Sequence, residues 1–286
     1  MPKLSSPSTD ATTVPLHGNM KDPDIDYLQL SVGCGYSIGK KREKNQDSLF
    51  TFTSGIANND QRTPFGVYIV ADGMGGHELG EVASEMAIRA AADEIIQKLY
   101  IPFLNLSENK APISDVLNAA VSRAHEAVLE KAPEGGTTLT IALITNNHLA
   151  IAHIGDSRAY YIKADGQITA LTRDHSLVRR LEELGQITSD EAAVHPQRNI
   201  LYRALGQGEH SEPEIIFLPI PEDGYLLLCS DGLWGVVPED TIVKCILKSS
   251  TPYQACQSLM DAANEGGGPD NISAILIRFL GMKINR

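Results

Sequence analysis

Apolar and polar residues alternate along Leu28-Gln29-Leu30-Ser31-Val32, the two-residue period of a strand with one face covered. Ser48 to Thr53 and Phe65 to Ala71 also read as strands, and the polar stretch between them, Ser54 to Pro64, reads as a turn or loop. The period then lengthens. Leu79, Val82, Ala83, Met86, Ala87, Ala90 and Ala91 recur at helical spacing and predict a helix from about Glu78 to Leu99. Ile113, Val116, Leu117, Ala120, Val121 and Ala124 predict a second helix ending near Lys131. Two such helices joined by a loop are expected to pair antiparallel and to pack their apolar stripes on a sheet. From Thr138 the period returns to two. Thr138 to Thr145 and His148 to Ile154 flank Asn146-Asn147, residues that tolerate positive φ and suit a hairpin. Ala159 to Lys163 and Gln167 to Leu171 flank Ala164-Asp165-Gly166, a second hairpin. Tyr225 to Cys229 is almost wholly apolar, as a strand covered on both faces is, and Ile272 to Phe279 closes the sheet. Strand pairs broken by runs of helix indicate an α+β fold rather than alternating βαβ units.

Two segments fall outside this pattern. Residues 1–27 are rich in Ser, Thr, Pro and Asp and lack the apolar centre of a signal peptide, so they read as a flexible leader before a domain of residues 28–282. Residues 173–208 are polar and partly helical, with Leu177, Leu181 and Leu184 spaced to pack.

Composition narrows the function. The 286 residues are 42% hydrophobic, enough for one large domain with a full core. A formal net charge of −12 with no basic block argues against nucleic acid. Four cysteines show no paired or zinc spacing, and Cys34 and Cys229 read as small core hydrophobes in a reducing cytosol. No apolar run approaches the ~20 residues that span a bilayer.

The chemistry sits in four aspartate signatures: Asp72-Gly73-Met74-Gly75-Gly76-His77, Gly155-Asp156-Ser157-Arg158, Ser230-Asp231-Gly232-Leu233-Trp234 and Pro269-Asp270-Asn271. Each sets an Asp where a strand-like run meets a turn, so carboxylates distant in sequence can converge. Converging carboxylates repel unless a cation neutralises them, and oxygen ligands without Cys suit hard divalent ions, magnesium or manganese. Two such ions side by side clamp a phosphoryl group and activate water. A lone Asp before Gly is most often a turn former. There is no CxxxxxR loop for a cysteine-dependent phosphatase and no GxxxxGK[ST] loop for nucleotide phosphates.

With Arg42-Glu43-Lys44-Asn45-Gln46-Asp47, Gly136-Thr137-Thr138 and the closing Asp270-Asn271-Ile272-Ser273, these motifs resemble, in order, the metal-dependent serine/threonine protein phosphatases, the type 2C family in its bacterial form. The resemblance runs over roughly residues 30 to 280 and implies a central β-sandwich of two mostly antiparallel sheets flanked by antiparallel helix pairs, with residues 173–208 as a flap beside the active site. It implies that Asp72 bridges two ions, Mg2+ or Mn2+, that the Gly73 carbonyl binds one of them, and that Asp231 and Asp270 complete the pair. Asp156 would share a third, weaker ion with Asp231. Asp47 would orient a metal-bound water, and Arg42 would hold the substrate phosphate bidentately. A hydroxide bridging the two ions would then attack phosphorus in line, with no phosphoenzyme.

Three residues depart from the eukaryotic pattern: Met74 for a His suspected of protonating the leaving alcohol, Gln46 for a metal-binding Glu, and Gly235 for an Asp after the Trp. All three are typical of the bacterial branch. They leave the general acid open between His77, a metal-bound water and, more weakly, His153 and His195; His153 reads better as a structural strand residue. Thr137 and Thr138 are expected to support the site, and Trp234 to lie in the core. The implied partners are phosphorylated proteins, substrates of serine/threonine kinases, met in the cytoplasm by a monomer without nucleic acid or membrane. An inactive relative that only binds partners and a phosphatase of small phosphometabolites are the rival readings.

Overall fold

A computed structural model describes residues 28–58, 61–75, 78–105, 111–145, 148–208, 212–221 and 223–281. In chain order the elements are β1 (Leu28–Ser37), β2 (Asp47–Asn58), β3 (Gln61–Met74), α1 (Leu79–Ile95), a π-helical turn (Ile96–Tyr100), α2 (Ile101–Leu104) and α3 (Ile113–Lys131). Then come β4 (Gly136–Thr137), β5 (Leu139–Thr145), β6 (His148–Ile154), β7 (Arg158–Ile162), β8 (Ile168–Ala170), α4 (Leu177–Glu183) and α5 (Ser189–Ala193). β9 (Glu214–Pro219), β10 (Asp223–Cys229), α6 (Asp231–Trp234), α7 (Glu239–Lys248), α8 (Pro252–Glu265) and β11 (Ile272–Gly281) complete the fold.

The strands form two antiparallel sheets, β1-β11-β10-β7-β8 and β2-β3-β5-β6-β9, with β4 paired to β3. Because successive residues of a strand face opposite ways, each central strand feeds two cores. Val67, Ile69 and Ala71 of β3 point to α1 and α3, whose Ala83, Ala87, Ala91, Leu117, Val121 and Ala124 meet them. Tyr68 and Val70 of the same strand face the other sheet, where Leu226, Leu228, Ile275 and Ile277 close the sandwich. Leu227, Cys229, Ala274 and Leu276 face outward again, onto Ile242 and Ile246 of α7 and Leu259 and Met260 of α8. Four layers result: helices, sheet, sheet, helices. Double coverage is why Tyr225 to Cys229 is apolar without alternation.

The structure corrects the sequence reading in four places. Ser54 to Pro64 is not a loop: β2 and β3 continue as a ladder to Asn58 opposite Gln61. Pro64, which has no N–H to give, falls where β3 is partnered by β2 alone, since pairing with β5 begins at Phe65. The predicted helix to Leu99 leaves α geometry at Ile96. Leu177, Leu181 and Leu184 do not pack as a stripe; α4 buries no residue, and Leu184 is 56% exposed. Cys34 is exposed on β1, whereas Cys229 is buried as expected. α7, α8 and β9 were not marked by the strand alternation. The first two carry their apolar residues at helical spacing, and β9 lies at a sheet edge with an irregular burial pattern. The leader and the Asn146-Asn147 turn lie outside the described residues.

Candidate active site

The aspartates meet at one end of the sandwich. Asp47 opens β2 and sits opposite Asp72 near the end of β3 in the same ladder. Asp270 precedes β11, Asp231 opens α6 directly after β10, and Asp156 follows β6. Ser230 bridges the two sheets: its hydroxyl donates to Asp47 Oδ2 at 2.8 Å and accepts from the Ser273 N–H at 3.0 Å.

Threonines hold the main chain of Asp72. Thr138 Oγ1 accepts from its N–H at 2.9 Å, while Thr137 Oγ1 and the Thr138 N–H donate to its carbonyl, each at 2.9 Å. This matches the supporting role expected of both. Gly73 is required by crowding from behind, because a Cβ there would lie 2.0 Å from the Gly80 carbonyl oxygen of α1 and 2.6 Å from that of Gln46. Gly155 has φ of 107° and packs on Thr138, so the Asp156 turn can sit against the Asp72 support.

Burial pushes the Asp47 carboxyl up to about 7, and Asp231 and Asp270 add to it against the Ser230 hydrogen bond. Burial and then Asp270 push Asp231 up to about 6, partly offset by a hydrogen bond with Asp72 and by Arg42. Burial, followed by Asp47 and Asp231, holds Asp72 well above the carboxylate range; burial, then Asp231 and Asp174, does the same for Asp156. Asp47 Oδ1 and Asp231 Oδ1 are buried without a hydrogen-bond partner. Arg42 lies at the rim, its Nη2 donating to Asp270 Oδ2 at 2.7 Å, and that bond raises its own pKa. Carboxylates gathered largely out of water, raised by one another and leaving oxygens orphaned, are the donor set a hard cation would satisfy. They face one another across a gap: among the described residues no three His, Cys, Asp or Glu side chains converge on one ion position. A shell completed by a main-chain oxygen such as that of Gly73 and by water needs no such convergence.

Sequence reasoning missed several neighbours. Trp234 packs half-buried against the core, as expected, and also reaches the site: its Nε1 donates to the Asp156 carbonyl at 3.0 Å, and the Arg158 guanidinium lies 3.5 Å over its ring. Arg158 also grips Asp174 bidentately, at 2.9 and 2.7 Å, and donates to the Tyr160 hydroxyl. His175 Nδ1 accepts from the Gly155 N–H at 3.1 Å, and burial pushes its pKa down to about 4. In the run Thr172-Arg173-Asp174-His175, where the segment read as polar and partly helical begins, Thr172, Asp174 and His175 are buried. The Asn271 side chain reaches three main-chain groups of the loop that carries Arg42.

Among the histidines, His153 is a structural strand residue, fully buried and hydrogen-bonded to Thr140 Oγ1 and the Arg173 carbonyl. His195 accepts from the Gln197 N–H in the segment after α5. His77 lies outside the described residues. Gln46 Nε2 donates to the Gly75 carbonyl at 3.3 Å.

Comparison with known proteins agrees with this geometry. The serine/threonine phosphatase stp of Listeria monocytogenes serotype 4b is 36% identical over 245 residues, covering 84% of this chain and 92% of that one. The crystal structure of the Mycobacterium tuberculosis serine/threonine phosphatase PstP superposes with a TM-score of 0.73 at 33% identity, over 88% of this chain and 99% of that one. The PstP catalytic domain in complex with two manganese ions superposes with a TM-score of 0.71 at 32% identity, over 88% and 99% of the chains. The profile of the family described as Protein phosphatase 2C matches residues 34–272, and with the sandwich and its aspartate end this establishes that the chain belongs to that family.

Proposed function

We propose that this chain is a metal-dependent phosphatase of phosphoserine and phosphothreonine in proteins, and that Asp72, the Gly73 carbonyl, Asp231 and Asp270 hold its two ions, magnesium or manganese. The observation that carries this is the aspartate end, where burial and neighbouring carboxylates raise Asp72 and Asp231 and where Asp231 Oδ1 is left without a hydrogen-bond partner. Bound there, the ions would neutralise the phosphoryl oxygens and acidify the attacking water. Arg42 holds the phosphate; its planar guanidinium reaches into the site as far as Asp270. Asp47, opposite Asp72 and held by Ser230, orients the incoming water and accepts its hydrogen bond. The threonine bonds to Asp72 keep that carboxylate fixed while charge develops. Asp156, tied to Trp234, holds a third and weaker ion together with Asp231. Water adds to phosphorus, the ester P–O bond breaks, and the departing alkoxide takes a proton; His77 is the residue we assign to supply it. The substrates are products of serine/threonine kinases, met in the cytoplasm by a monomer, a setting in keeping with four unpaired cysteines.

The test is phosphate release from phosphoserine and phosphothreonine peptides in manganese, before and after EDTA. Release should vanish on chelation and return on adding manganese back; undiminished turnover in EDTA overturns the proposal. For His77, the His77→Ala variant should slow phosphopeptide hydrolysis far more than that of p-nitrophenyl phosphate, whose leaving group departs unprotonated. Equal losses on the two substrates would remove it from the acid role.

A further inference from the structure

Between β1 and β2 the chain runs through residues 38–46, a mostly exposed loop carrying Lys40, Lys41, Arg42 and Lys44. Such a loop has no ladder of its own to set the position of Arg42. Its anchors come from elsewhere: the Lys40 N–H donates to the Gly268 carbonyl at 2.7 Å, and one buried side chain holds both ends. Asn271, 3% exposed at the head of β11, donates through Nδ2 to the Ile38 carbonyl at 3.0 Å and the Lys44 carbonyl at 2.9 Å, and accepts through Oδ1 from the Gln46 N–H at 2.8 Å. The donor-acceptor pattern fixes the amide orientation, since two carbonyls need the nitrogen and an N–H needs the oxygen. The three bonds close both ends of the loop onto one point, with Arg42 between them. Other bonds extend the tie. The Gln46 carbonyl accepts from the Gly73 N–H at 3.1 Å and from the Ser84 hydroxyl at 2.6 Å. The Asn271 N–H donates to Asp270 Oδ1 at 2.8 Å.

We infer that Asn271 is a positioning residue for substrate binding: it sets the height and direction of Arg42 over the aspartate site by clamping both ends of the Arg42 loop. This rests on the reading of Arg42 as the phosphate-holding group. Aspartate cannot replace it, because a carboxylate offers no hydrogen to the two carbonyls, and a longer amide would push the loop off β11. The clamp acts on binding and leaves chemistry at the ions alone, so its loss should appear in affinity for phosphate rather than in turnover at saturation.

Competitive inhibition by inorganic phosphate, measured on the full chain in manganese, isolates that step. Arg42→Ala, Asn271→Ala and the double variant form a cycle. Asn271→Ala should raise both the inhibition constant and KM roughly five- to thirty-fold, the equivalent of one or two lost hydrogen bonds, with kcat within about twofold of the parent. In the Arg42→Ala background the same change should do almost nothing. Amide exchange of residues 39–46 should quicken in Asn271→Ala while β11 stays protected. Should the alanine variant lose its cooperative melt, Asn271→Ser takes its place in the cycle. A kcat loss with an unchanged phosphate constant, or a full additive loss in both backgrounds, overturns the clamp. An Arg42→Ala variant that binds phosphate normally overturns the reading of Arg42 itself, and is told apart because the first arm of the cycle is then flat.

Discussion

A carboxylate taken out of water without a cation holds its proton more tightly, and burial first, then their neighbours, raise Asp47, Asp72, Asp156 and Asp231. Changing Asp72, Asp231 or Asp270 to Asn preserves shape and removes a charged ligand oxygen. Turnover should then fall by at least about a hundred-fold, the scale seen when one preorganised charge-stabilising group is lost; steady-state kinetics at saturating manganese check it, and near-parental kcat in any of the three would take that residue out of the ligand set. Arg42→Ala should cost about 1.5–3 kcal/mol of binding to every phospho-substrate, read as kcat/KM on several peptides. These residues were legible because an Asp between a strand run and a turn is a local signal. Ser230, Asn271 and Trp234 were not, because what they bind lies far away in sequence: Asp47 for Ser230, the Arg42 loop for Asn271, Asp156 for Trp234. No periodicity carries a side-chain hydrogen bond across such distances.

At the scale of elements, the turn after β6 and the segment leading into α4 are strapped together by groups that must stay in one charge state. His153 on β6 donates from Nε2 to the Arg173 carbonyl and is bonded through Nδ1 to Thr140 Oγ1, and burial holds its pKa down to about 3, so it is neutral near pH 7. Its stabilisation is complete above pH 6.5, where the unfolded histidine is also neutral, and is lost as pH falls from there toward 3. The full span is worth roughly 5 kcal/mol. The raised site carboxyls act with opposite sign, strengthening the metal-free fold as pH drops below about 7, so the quantity to measure is the difference between parent and His153→Gln. Urea unfolding from pH 7 to 4 should show the variant lacking the parent's downward component; parallel curves would disprove it. Asp174→Asn breaks the bidentate grip on Arg158 and leaves that guanidinium with less than its charge requires. A loss of about 3 kcal/mol is expected by the same melts, as for a broken, largely buried pair. The strands and first helix pair could be read from their periods, whereas this strap could not, since its residues look like an ordinary polar connection until the sheet edges that bury them are in place.

For the whole molecule, Ser230 joins the two sheets at the aspartate end while ionised carboxylates there repel one another, so what neutralises the repulsion also holds the sheets together. Manganese or magnesium should raise the melting temperature, by about 2.7 kcal/mol of stability at a hundred times the dissociation constant, and EDTA should reverse it. A melting point indifferent to both would mean that no ion is held between the sheets. In Asp156→Ala crystals soaked in manganese, two occupied positions would support its assignment to a third ion, and three would refute it.

β11 sits between β1 and β10, so the interior of one sheet is laid down last. Among the described residues β1 pairs with β11 alone and must wait for residues 272–281, more than two hundred positions downstream, before its ladder can form. Asp270 and Asn271 arrive with the same stretch. A nascent chain halted before residue 270 would therefore lack a ligand, a loop clamp and the centre of a sheet at once. The closing of that sheet and the arrival of Asp270 and Asn271 are thus one event in the order of the chain. Slow folding, of the kind that long-range pairing imposes, is the other side of that timing.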